Sequence, residues 1–379
     1  MRPGFLGRNG LKIALSLVVT IGMFAYLRSQ GMSFKPPPSE AIWGIPHLWT
    51  YPAFIVVSTI ATALRAARWR LQLRSFADVP LMRVLTVSWV SFAAIFILPF
   101  RLGEIVRPMM IRDRGRVSAT AAAGTVVTER VLDGLFLSFI LGIALWYAPP
   151  ADQTPEFVVG LKNFPTSRVR GFGATMFTIF VGAFVVIGVF YKFRAWAHAM
   201  TLKVFGVVSM SLAEKLAGIA EKLADGMAFL ARPKDAVPYL AETLLYWGLN
   251  AASMWLLAWG CGLTHIDGSG ATYLDALALI GVLGAAMLIP APPGMLGVFQ
   301  AGLYCAMTLF FDPKIILGPG AVYVFMLYVM QFGLALVSAA LSLLDPGTRR
   351  ALFAADAENL GESLLPAPGA NHRPLVPPF

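Results

Sequence analysis

The stretch LPFRLGEIVRP (Leu98–Pro108) interrupts an apolar segment of the chain with two prolines, a glycine and three charged side chains. Pro99 and Gly103 favour the end of one helix and the start of another. Strongly basic segments lie on both sides, at 65–83 and 112–116. Since basic segments tend to stay in the cytoplasm, residues 84–111 are predicted to enter a membrane from that side and return to it as a re-entrant hairpin.

The composition of the whole chain explains why a membrane is expected. Of 379 residues, 58% are hydrophobic and 13% are charged, whereas a soluble domain carries about 25% charged residues. Such a chain cannot cover its own surface with polar groups, so a water-soluble fold is excluded. Membrane topology accounts for the net charge of +10, and we predict no nucleic-acid binding.

Several classes of functional site are not expected from this sequence. Cys261 and Cys305 are its only cysteines, and its four histidines are scattered, so we predict no disulfide framework and no metal site. No P-loop, GxSxG, HExxH or dinucleotide fingerprint is present. We therefore predict no cofactor.

Apolar segments of roughly 17–25 residues are candidate membrane spans, because the hydrocarbon core is about 30 Å thick. We assign them to residues 11–27, 50–64, 84–98, 119–148, 172–191, 238–260, 273–289 and 319–344. The segments 1–12, 65–83, 112–116, 192–234 and 345–379 hold 21 of the 30 Lys and Arg residues, and the other loops hold six. The first set is predicted to be cytoplasmic, which places both termini on the cytoplasmic side of the cytoplasmic (inner) membrane.

A second interruption has the same pattern as the first. IPAPPGMLG breaks residues 273–311, and Pro293-x-x-Leu296-Gly297 matches Pro99-x-x-Leu102-Gly103 at a distance of 194 residues. The flanks of this segment carry few basic residues, so this hairpin is predicted to enter from the opposite side. The fold class that follows is an all-α polytopic membrane protein with six full crossings, two re-entrant hairpins and inverted-topology repeats at roughly 50–148 and 238–344. The alternative is that proline and glycine merely kink two ordinary spans, which leaves basic residues on the wrong side.

The remaining segments complete the predicted organisation. Residues 1–345 form a single transmembrane domain. Within it, apolar and charged residues alternate at helical spacing over 196–230, which predicts a cytoplasmic amphipathic helix. The Pro-rich residues 346–379 are predicted to be a disordered cytoplasmic tail.

Charged side chains inside apolar segments are the candidates for function. Each such charge costs about 2.5–3.5 kcal/mol at a helix centre, so Glu129, Arg130 and Asp133 must face the protein interior or a wet cavity. A helix that begins near Gly103 offers free N–H groups to an anion, and Gly297 begins a second such helix. We predict a substrate-binding set of nine residues and no catalytic residue: Arg101, Gly103, Glu104, Arg107, Glu129, Arg130, Asp133, Gly297 and Gln300. The alternative is that Arg107 and Arg130 are counter-ions for Glu104, Glu129 and Asp133 in a network that holds helices together.

With these residues in hand, the chain resembles the lysylphosphatidylglycerol synthase transmembrane-region family, also described as flippase-like. The resemblance rests on RAARWRLQL (Arg65–Leu73), LPFRLGEIVRPMMIRDRG (Leu98–Gly115), GTVVTERVLDGL (Gly124–Leu135) and APPGMLGVFQAGL (Ala291–Leu303). It implies a polytopic protein that moves lipids between leaflets, here without the soluble aminoacyltransferase domain of some members. The family's second break usually reads PGGLGVFEA, so Gln300 stands at an acidic position and Met295 at a glycine. Without that carboxylate there is one fewer group to bind a headgroup amine, so the departure argues slightly against a lysyl-lipid substrate.

Two classes of function follow from these observations. The first is a lipid transporter, or flippase, whose partner is a membrane lipid of the phospholipid or polyprenyl-phosphate type. The alternative is an intramembrane enzyme that modifies a lipid headgroup with Glu104, Glu129 or Asp133 as base, or an accessory subunit of a lipid or glycolipid pathway. We expect no enzyme, because no nucleophile or metal ligand accompanies these carboxylates. The sequence is compatible with a homo-oligomer and does not decide the oligomeric state.

Overall fold

The structure is a computed structural model that describes residues 36–98, 101–112, 117–147, 169–207, 225–287 and 293–358, with isolated positions between 18 and 25 and between 209 and 218. Over these ranges the chain forms helices and no strand, and its isolated β bridges include Thr264 with Gly270 and His265 with Phe311. The predicted all-α class is confirmed.

The described part contains thirteen α-helices and two short 3₁₀ helices. The α-helices are α1 Ser39–Trp43, α2 Thr50–Leu73, α3 Leu81–Ile97, α4 Gly103–Ile111, α5 Ala119–Tyr147, α6 Val169–Lys192, α7 Arg194–Phe205, α8 Pro233–Gly260, α9 Tyr273–Ala286, α10 Val298–Met307, α11 Pro313–Leu317, α12 Pro319–Ser342 and α13 Pro346–Glu358. The 3₁₀ helices are Ala228–Ala231 and Pro293–Met295.

Helices α2 and α8 pack along their lengths in antiparallel directions. Gly260, at the end of α8, lies against Thr50 at the start of α2, and a side chain at Gly260 would overlap that threonine. At the other end, Arg74 Nη1 lies 3.5 Å from Asp235 Oδ1. Helix α2 also contacts α3, and α8 contacts α9, so the pair adjoins both segments that contain the chain breaks.

The first break brings α4 back against α3. Gly103 begins α4 where any Cβ would overlap backbone atoms of Ala94 and Ile95. Ser91 Oγ donates a hydrogen bond of 2.8 Å to the Gly103 carbonyl oxygen. The close approach of two backbones at this point requires glycine. The chain therefore turns back after Ile97, as the sequence predicts, although Pro99 itself lies outside the described residues.

The second break brings α10 back against α9. Gly302 of α10 lies so close to α9 that a Cβ would come within 2.7 Å of the Ala286 side chain. The tip uses left-handed backbone at Gly294 and Gly297, with φ of 76° and 87°. Tyr328 Oη on α12 donates a hydrogen bond of 2.7 Å to the Gly294 carbonyl oxygen and ties the tip to the helix behind it.

Each hairpin packs on the last helix of the other predicted repeat. Helix α3 contacts α12, and α9 contacts α5. The second contact is close because Gly281 and Gly284 of α9 lie where a Cβ would meet the side chains of Leu141 and Leu137 of α5. The hairpin tips thereby approach one another in the middle of the bundle.

Helices α2 and α12 are long and apolar enough to span a membrane by length and composition; the other described helices do not meet both conditions. Large apolar side chains on the outer faces of several helices are exposed in the isolated chain. They include Ile55, Val56 and Ile60 of α2, Leu244 and Leu245 of α8, and Leu336, Val337 and Leu341 of α12. Contact with lipid chains would cover such surfaces.

Two segments differ from the sequence prediction. Residues 346–358, predicted to belong to a disordered tail, form α13, which packs on α3 and α4. Asp345 starts this helix by accepting hydrogen bonds of 2.7 Å from the hydroxyl and the backbone N–H of Thr348, and these bonds lower the pKa of its carboxyl group. Thr348 Oγ1 also bonds to Thr86 Oγ1 at 2.8 Å. Tertiary contacts thus stabilise a helix that its Pro-rich context obscures.

The predicted amphipathic helix over 196–230 is also interrupted. Helix α7 ends at Phe205 because the chain turns at Gly206, and a 3₁₀ helix occupies Ala228–Ala231. Much of 208–224, the candidate span at 11–27, the loop at 149–168 and the tail after 358 lie outside the described residues.

Candidate functional site

A cavity of about 560 Å³ lies between the two hairpins and the central helices. Arg101 and Leu102 of the first break and Met295 of the second break line it. Most of the wall is apolar, but one part is charged. The charged part of the wall is formed by Arg65, Arg101, Glu104, Arg130 and Asp133.

The charges come from three helices, and we call the following eight residues the arginine cluster. Helix α2 supplies Arg65 and Arg68, the first break supplies Arg101, α4 supplies Glu104 and Arg107, and α5 supplies Glu129, Arg130 and Asp133. Arg65 and Arg68 of α2 are three positions apart, and Asp133 of α5 follows Arg130 by three and Glu129 by four, which places these side chains on one side of each helix. Helix packing brings the faces together at one end of the cavity.

Glu129 is the centre of the cluster and is fully buried. Arg107 Nη2 donates a short hydrogen bond to Glu129 Oε2. Arg130 Nη2 lies 3.0 Å and Arg68 Nη2 3.4 Å from Glu129 Oε1. Arg107 is buried as well and stacks on the ring of Trp69, with its guanidinium carbon 4.3 Å from the ring centroid.

Asp133 forms the second anchor of the cluster. Both of its carboxylate oxygens accept from Arg68 Nη2, at 2.6 and 2.7 Å. Arg68 also donates to Thr243 Oγ1 at 3.0 Å, and Trp247 Nε1 donates to Asp133 Oδ1 at 3.3 Å. Through these bonds the α2, α5 and α8 helices are joined around a fully buried guanidinium.

Arg101 connects the two hairpins. Its Nη2 lies 2.9 Å from Glu104 Oε1, and its Nη1 donates a hydrogen bond of 2.7 Å to the carbonyl oxygen of Met287, where α9 ends. Glu104 Oε2 lies 3.5 Å from Arg130 Nε. Arg101 therefore satisfies a helix C-terminus of one hairpin from the tip of the other.

The two helix N-termini at the breaks differ. Among the described residues, no side chain caps the N-terminus of α4 at Leu102, which lines the cavity. At the N-terminus of α10, Gln300 Oε1 accepts a hydrogen bond of 2.7 Å from the Gly297 N–H. The first N-terminus is thus the one that remains available to an anion.

The predicted site residues fall into three groups. Arg101, Glu104, Arg130 and Asp133 line the cavity. Arg107 and Glu129 are buried beneath it, in the ion-pair network that the alternative interpretation assigned to them. Gly103 and Gly297 shape the tips, and Gln300 caps the second one. None of these three residues belongs to the described cavity wall.

Arg65 and Arg68 are functional candidates that sequence reasoning missed. The sequence pattern places them in a basic loop because the apolar run ends at residue 64, whereas α2 continues to Leu73. Their spacing of three, followed by the buried Trp69 and Leu73, is a helical pattern that could have revealed this. Asn250 and Gln331 also line the cavity, and their side chains make no hydrogen bond among the described residues.

Within the described ranges, no group of three or more His, Cys, Asp or Glu side chains is placed to hold a metal ion. The charged chemistry of the cavity comes from guanidinium and carboxylate groups. Arginine forks bind phosphate and carboxylate oxygens with two parallel hydrogen bonds. The arrangement can therefore bind an anion at its polar end and a hydrocarbon at its apolar end.

Comparison with known families decides the family of the chain. The family model described as lysylphosphatidylglycerol synthase TM region matches residues 13–335. The chain belongs to this family. A search of curated proteins found no match. The matched residues include both hairpins and the whole arginine cluster. Membership of the lysylphosphatidylglycerol synthase TM region family indicates a membrane protein with a lipid-related function.

Proposed function

We propose that this protein is a flippase that moves an anionic, phosphate-bearing lipid between the leaflets of the membrane. The observation that carries the proposal is the cavity of about 560 Å³, which has both hairpin tips and five residues of the arginine cluster in its wall. The headgroup would cross along this cavity while the acyl chains stay in the bilayer. The uncapped N-terminus of α4 adds partial positive charge at the same end of the cavity.

The architecture we propose is that of two inverted-topology repeats with re-entrant hairpins and six full crossings. Three observations support it. The first helices of the repeats, α2 and α8, are antiparallel. Each hairpin packs on the last helix of the other repeat. Arg101 and Met295, which occupy the same position of the shared motif, are the two non-glycine residues with positive φ in the described chain, at 57° and 54°.

Cysteine accessibility tests this topology. We propose that the protein lies in the cytoplasmic (inner) membrane with both termini in the cytoplasm. A cysteine at the exposed position Arg112 should then react with an impermeant maleimide only from the cytoplasm, and a cysteine at the exposed position Ser269 only from outside. The Cys-free background is Cys261→Ala with Cys305→Ala. Labelling of position 112 from outside would mean that residues 84–111 cross the membrane.

Transport is favoured over headgroup chemistry because the carboxylates that could act as a base form ion pairs with arginines. Glu129 contacts Arg107 and Arg130, and Asp133 contacts Arg68 through both oxygens. A general base needs a free oxygen within reach of the proton that it removes. Such pairing suits binding and alignment of helices more than proton abstraction.

A lipid-translocation assay tests the function. The protein is reconstituted in vesicles with a fluorescent anionic phospholipid, and loss of the fluorophore's accessibility to a membrane-impermeant reductant is followed over time. Leu102→Trp places a large ring at an exposed tip position on the cavity wall, so the translocation rate should fall at least tenfold. Ile55→Trp, on the outer face of α2, is the matched control and should keep the wild-type rate. Equal rates in protein-containing and protein-free vesicles would refute the proposed function.

A further inference from the structure

The arginine cluster contains more positive than negative charge. Among the described residues, the cluster contains two more positive than negative charges. The positive charges are Arg65, Arg68, Arg101, Arg107 and Arg130, and the negative charges are Glu104, Glu129 and Asp133. A surplus of this size inside a membrane protein is costly unless an anion compensates it. The surplus therefore points to a ligand with negative charge.

The closest ion pairs identify which arginines carry the surplus. The closest ion pair of Arg68 is with Asp133, that of Arg107 is with Glu129, and that of Arg101 is with Glu104. Arg130 shares carboxylates that already hold another arginine, at 3.0 to 3.7 Å. Arg65 has one carboxylate contact, 4.0 Å from its Nε to Glu129 Oε1. Arg65 thus has the least carboxylate compensation, and Arg130 shares each of its three carboxylates with another arginine. Both side chains line the cavity.

Arg65 is held in place without using its hydrogen-bond donors. Its guanidinium carbon lies 4.5 Å from the centroid of the Phe92 ring and 5.9 Å from that of Tyr246. Its Nε is buried without a hydrogen-bond partner, and its terminal nitrogens donate no hydrogen bond among the described residues. Stacking on aromatic rings orients a guanidinium while it leaves the edge of the fork free. That free edge is a preorganised receptor for an oxyanion.

Arg65 and Arg130 converge on the same atom. Both contact Glu129 Oε1, at 4.0 Å from Arg65 Nε and 3.0 Å from Arg130 Nη2. A single tetrahedral phosphate can therefore accept from both guanidinium groups. A phosphate monoester carries about two negative charges above its second pKa of about 6, which matches a surplus of two. A phosphate diester, with one charge, leaves one arginine uncompensated.

The rest of the cavity wall indicates what is attached to the phosphate. Away from the arginines it is lined by apolar side chains, among them Phe96, Leu137, Met254, Ile280 and Phe299. Free inorganic phosphate has no apolar group that could contact this apolar wall. A hydrocarbon chain joined to the phosphate would fill it and exclude water.

We propose that the cavity selects lipids whose headgroup is a terminal phosphate monoester and that Arg65, with Arg130, binds this phosphate. The assignment rests on the proposed lipid transport and specifies its substrate class. Lipids with a phosphodiester or an added amino group bind less tightly, because they bring fewer negative charges to the two arginines.

Lipid-dependent thermal stability in detergent tests the proposal, since a ligand that binds the folded state raises the midpoint of unfolding. The ligands are dioleoyl phosphatidic acid as the monoester, dioleoyl phosphatidylglycerol as the diester, and inorganic phosphate, all at pH 8. Wild-type protein should bind the monoester at least tenfold more tightly than the diester. Inorganic phosphate alone should give no shift at the same concentration.

Two variants on α2 separate binding from a general loss of charge. Arg65→Gln should abolish the preference for the monoester and keep the lipid-free midpoint, because it removes an uncompensated cation. Arg70→Gln is the matched control, since Arg70 pairs with the exposed Asp78 outside the cavity, and it should keep the preference. If Arg65→Gln does not fold, Arg65→Lys, which keeps the charge and loses the fork, should bind the monoester several-fold more weakly than wild type.

The outcomes distinguish this proposal from the proposed function. Equal affinity of the wild type for monoester and diester, or an unchanged preference in Arg65→Gln, would overturn the headgroup assignment and leave transport standing. Stabilisation by inorganic phosphate as strong as by the monoester lipid would overturn the lipid assignment in favour of the free anion. A monoester preference without translocation of any lipid in vesicles would instead overturn the transport function.

Discussion

The two hairpins share a backbone conformation at their tips, but the first carries charged side chains where the second carries apolar ones. Arg101 and Met295 occupy the same motif position and share left-handed φ values of 57° and 54°. Yet Arg101 forms an ion pair and bonds to the other hairpin, while Met295 is buried among apolar side chains. With the motifs in register, Glu104 and Arg107 correspond to Val298 and Ala301.

The difference continues into the helix that follows each hairpin. In the same register, Glu129 on α5 corresponds to Tyr323 on α12, and Asp133 corresponds to Leu327. Glu129 and Tyr323 are both fully buried, but Glu129 forms ion pairs with several arginines, whereas the hydroxyl of Tyr323 has no hydrogen-bond partner within the described part of the chain. Proline, glycine and leucine thus specify a tip that occurs twice, and the side chains around it make only one tip a binding site.

The largest effect should come from breaking the cluster at Glu129. Glu129→Leu leaves the buried Arg107 without its carboxylate and removes one of the three carboxylates that contact Arg130. Loss of one partner of a buried ion pair costs about 3–5 kcal/mol of unfolding free energy. Tyr323→Phe, at the corresponding position of the second half, removes an unpartnered hydroxyl and should change stability by less than about 1 kcal/mol. Thermal unfolding of the purified proteins measures both. Similar losses in the two variants would mean that the halves do not differ in the way described.

A smaller effect is expected from the glycines that open the second limb of each hairpin. Gly103→Ala forces a Cβ into the backbone of Ala94 and Ile95, so it should cost about 3 kcal/mol, the upper end of the range for overpacking. Gly297→Ala places alanine at φ 87° and should cost about 1–2 kcal/mol. The yield of monodisperse protein and its unfolding midpoint give the order. A larger loss at Gly297 would show that backbone strain dominates over packing at these tips.

The smallest effect concerns the caps of the two helices. Gln300→Ala removes the cap on the Gly297 N–H and should cost about 1 kcal/mol, as the loss of a helix cap does. Gln300→Glu keeps an acceptor there and should retain stability within about 0.5 kcal/mol. Val106→Ala, at the corresponding position of α4, removes no cap because α4 has none from a side chain. A change in translocation rate with Gln300→Glu, at unchanged stability, would give the side chain a part in transport beyond capping.

Much of the fold follows from local patterns. The breaks at Gly103 and Gly297 were predicted because proline and glycine restrict or free the backbone wherever they occur. The helix at 119–148 was predicted from its apolar length and is α5, Ala119–Tyr147. Helix α13 was missed because its stability depends on Thr86, which is distant in sequence and bonds to Thr348. A Pro-rich local context contains no information about that contact.

The sequence by itself determined that Glu129, Arg130 and Asp133 must turn away from lipid, because the cost of charges in hydrocarbon depends on residue type alone. Only the tertiary structure decided their partners. Arg65 and Arg68 reach Glu129 and Asp133 across about sixty residues of chain, and Gln300 turns to cap its own helix. Which ions pair depends on how α2, α4 and α5 pack, and packing is a property of the whole bundle. For that reason the sequence alone predicted a polar site, whereas the surplus of arginine that defines its ligand appeared only in three dimensions.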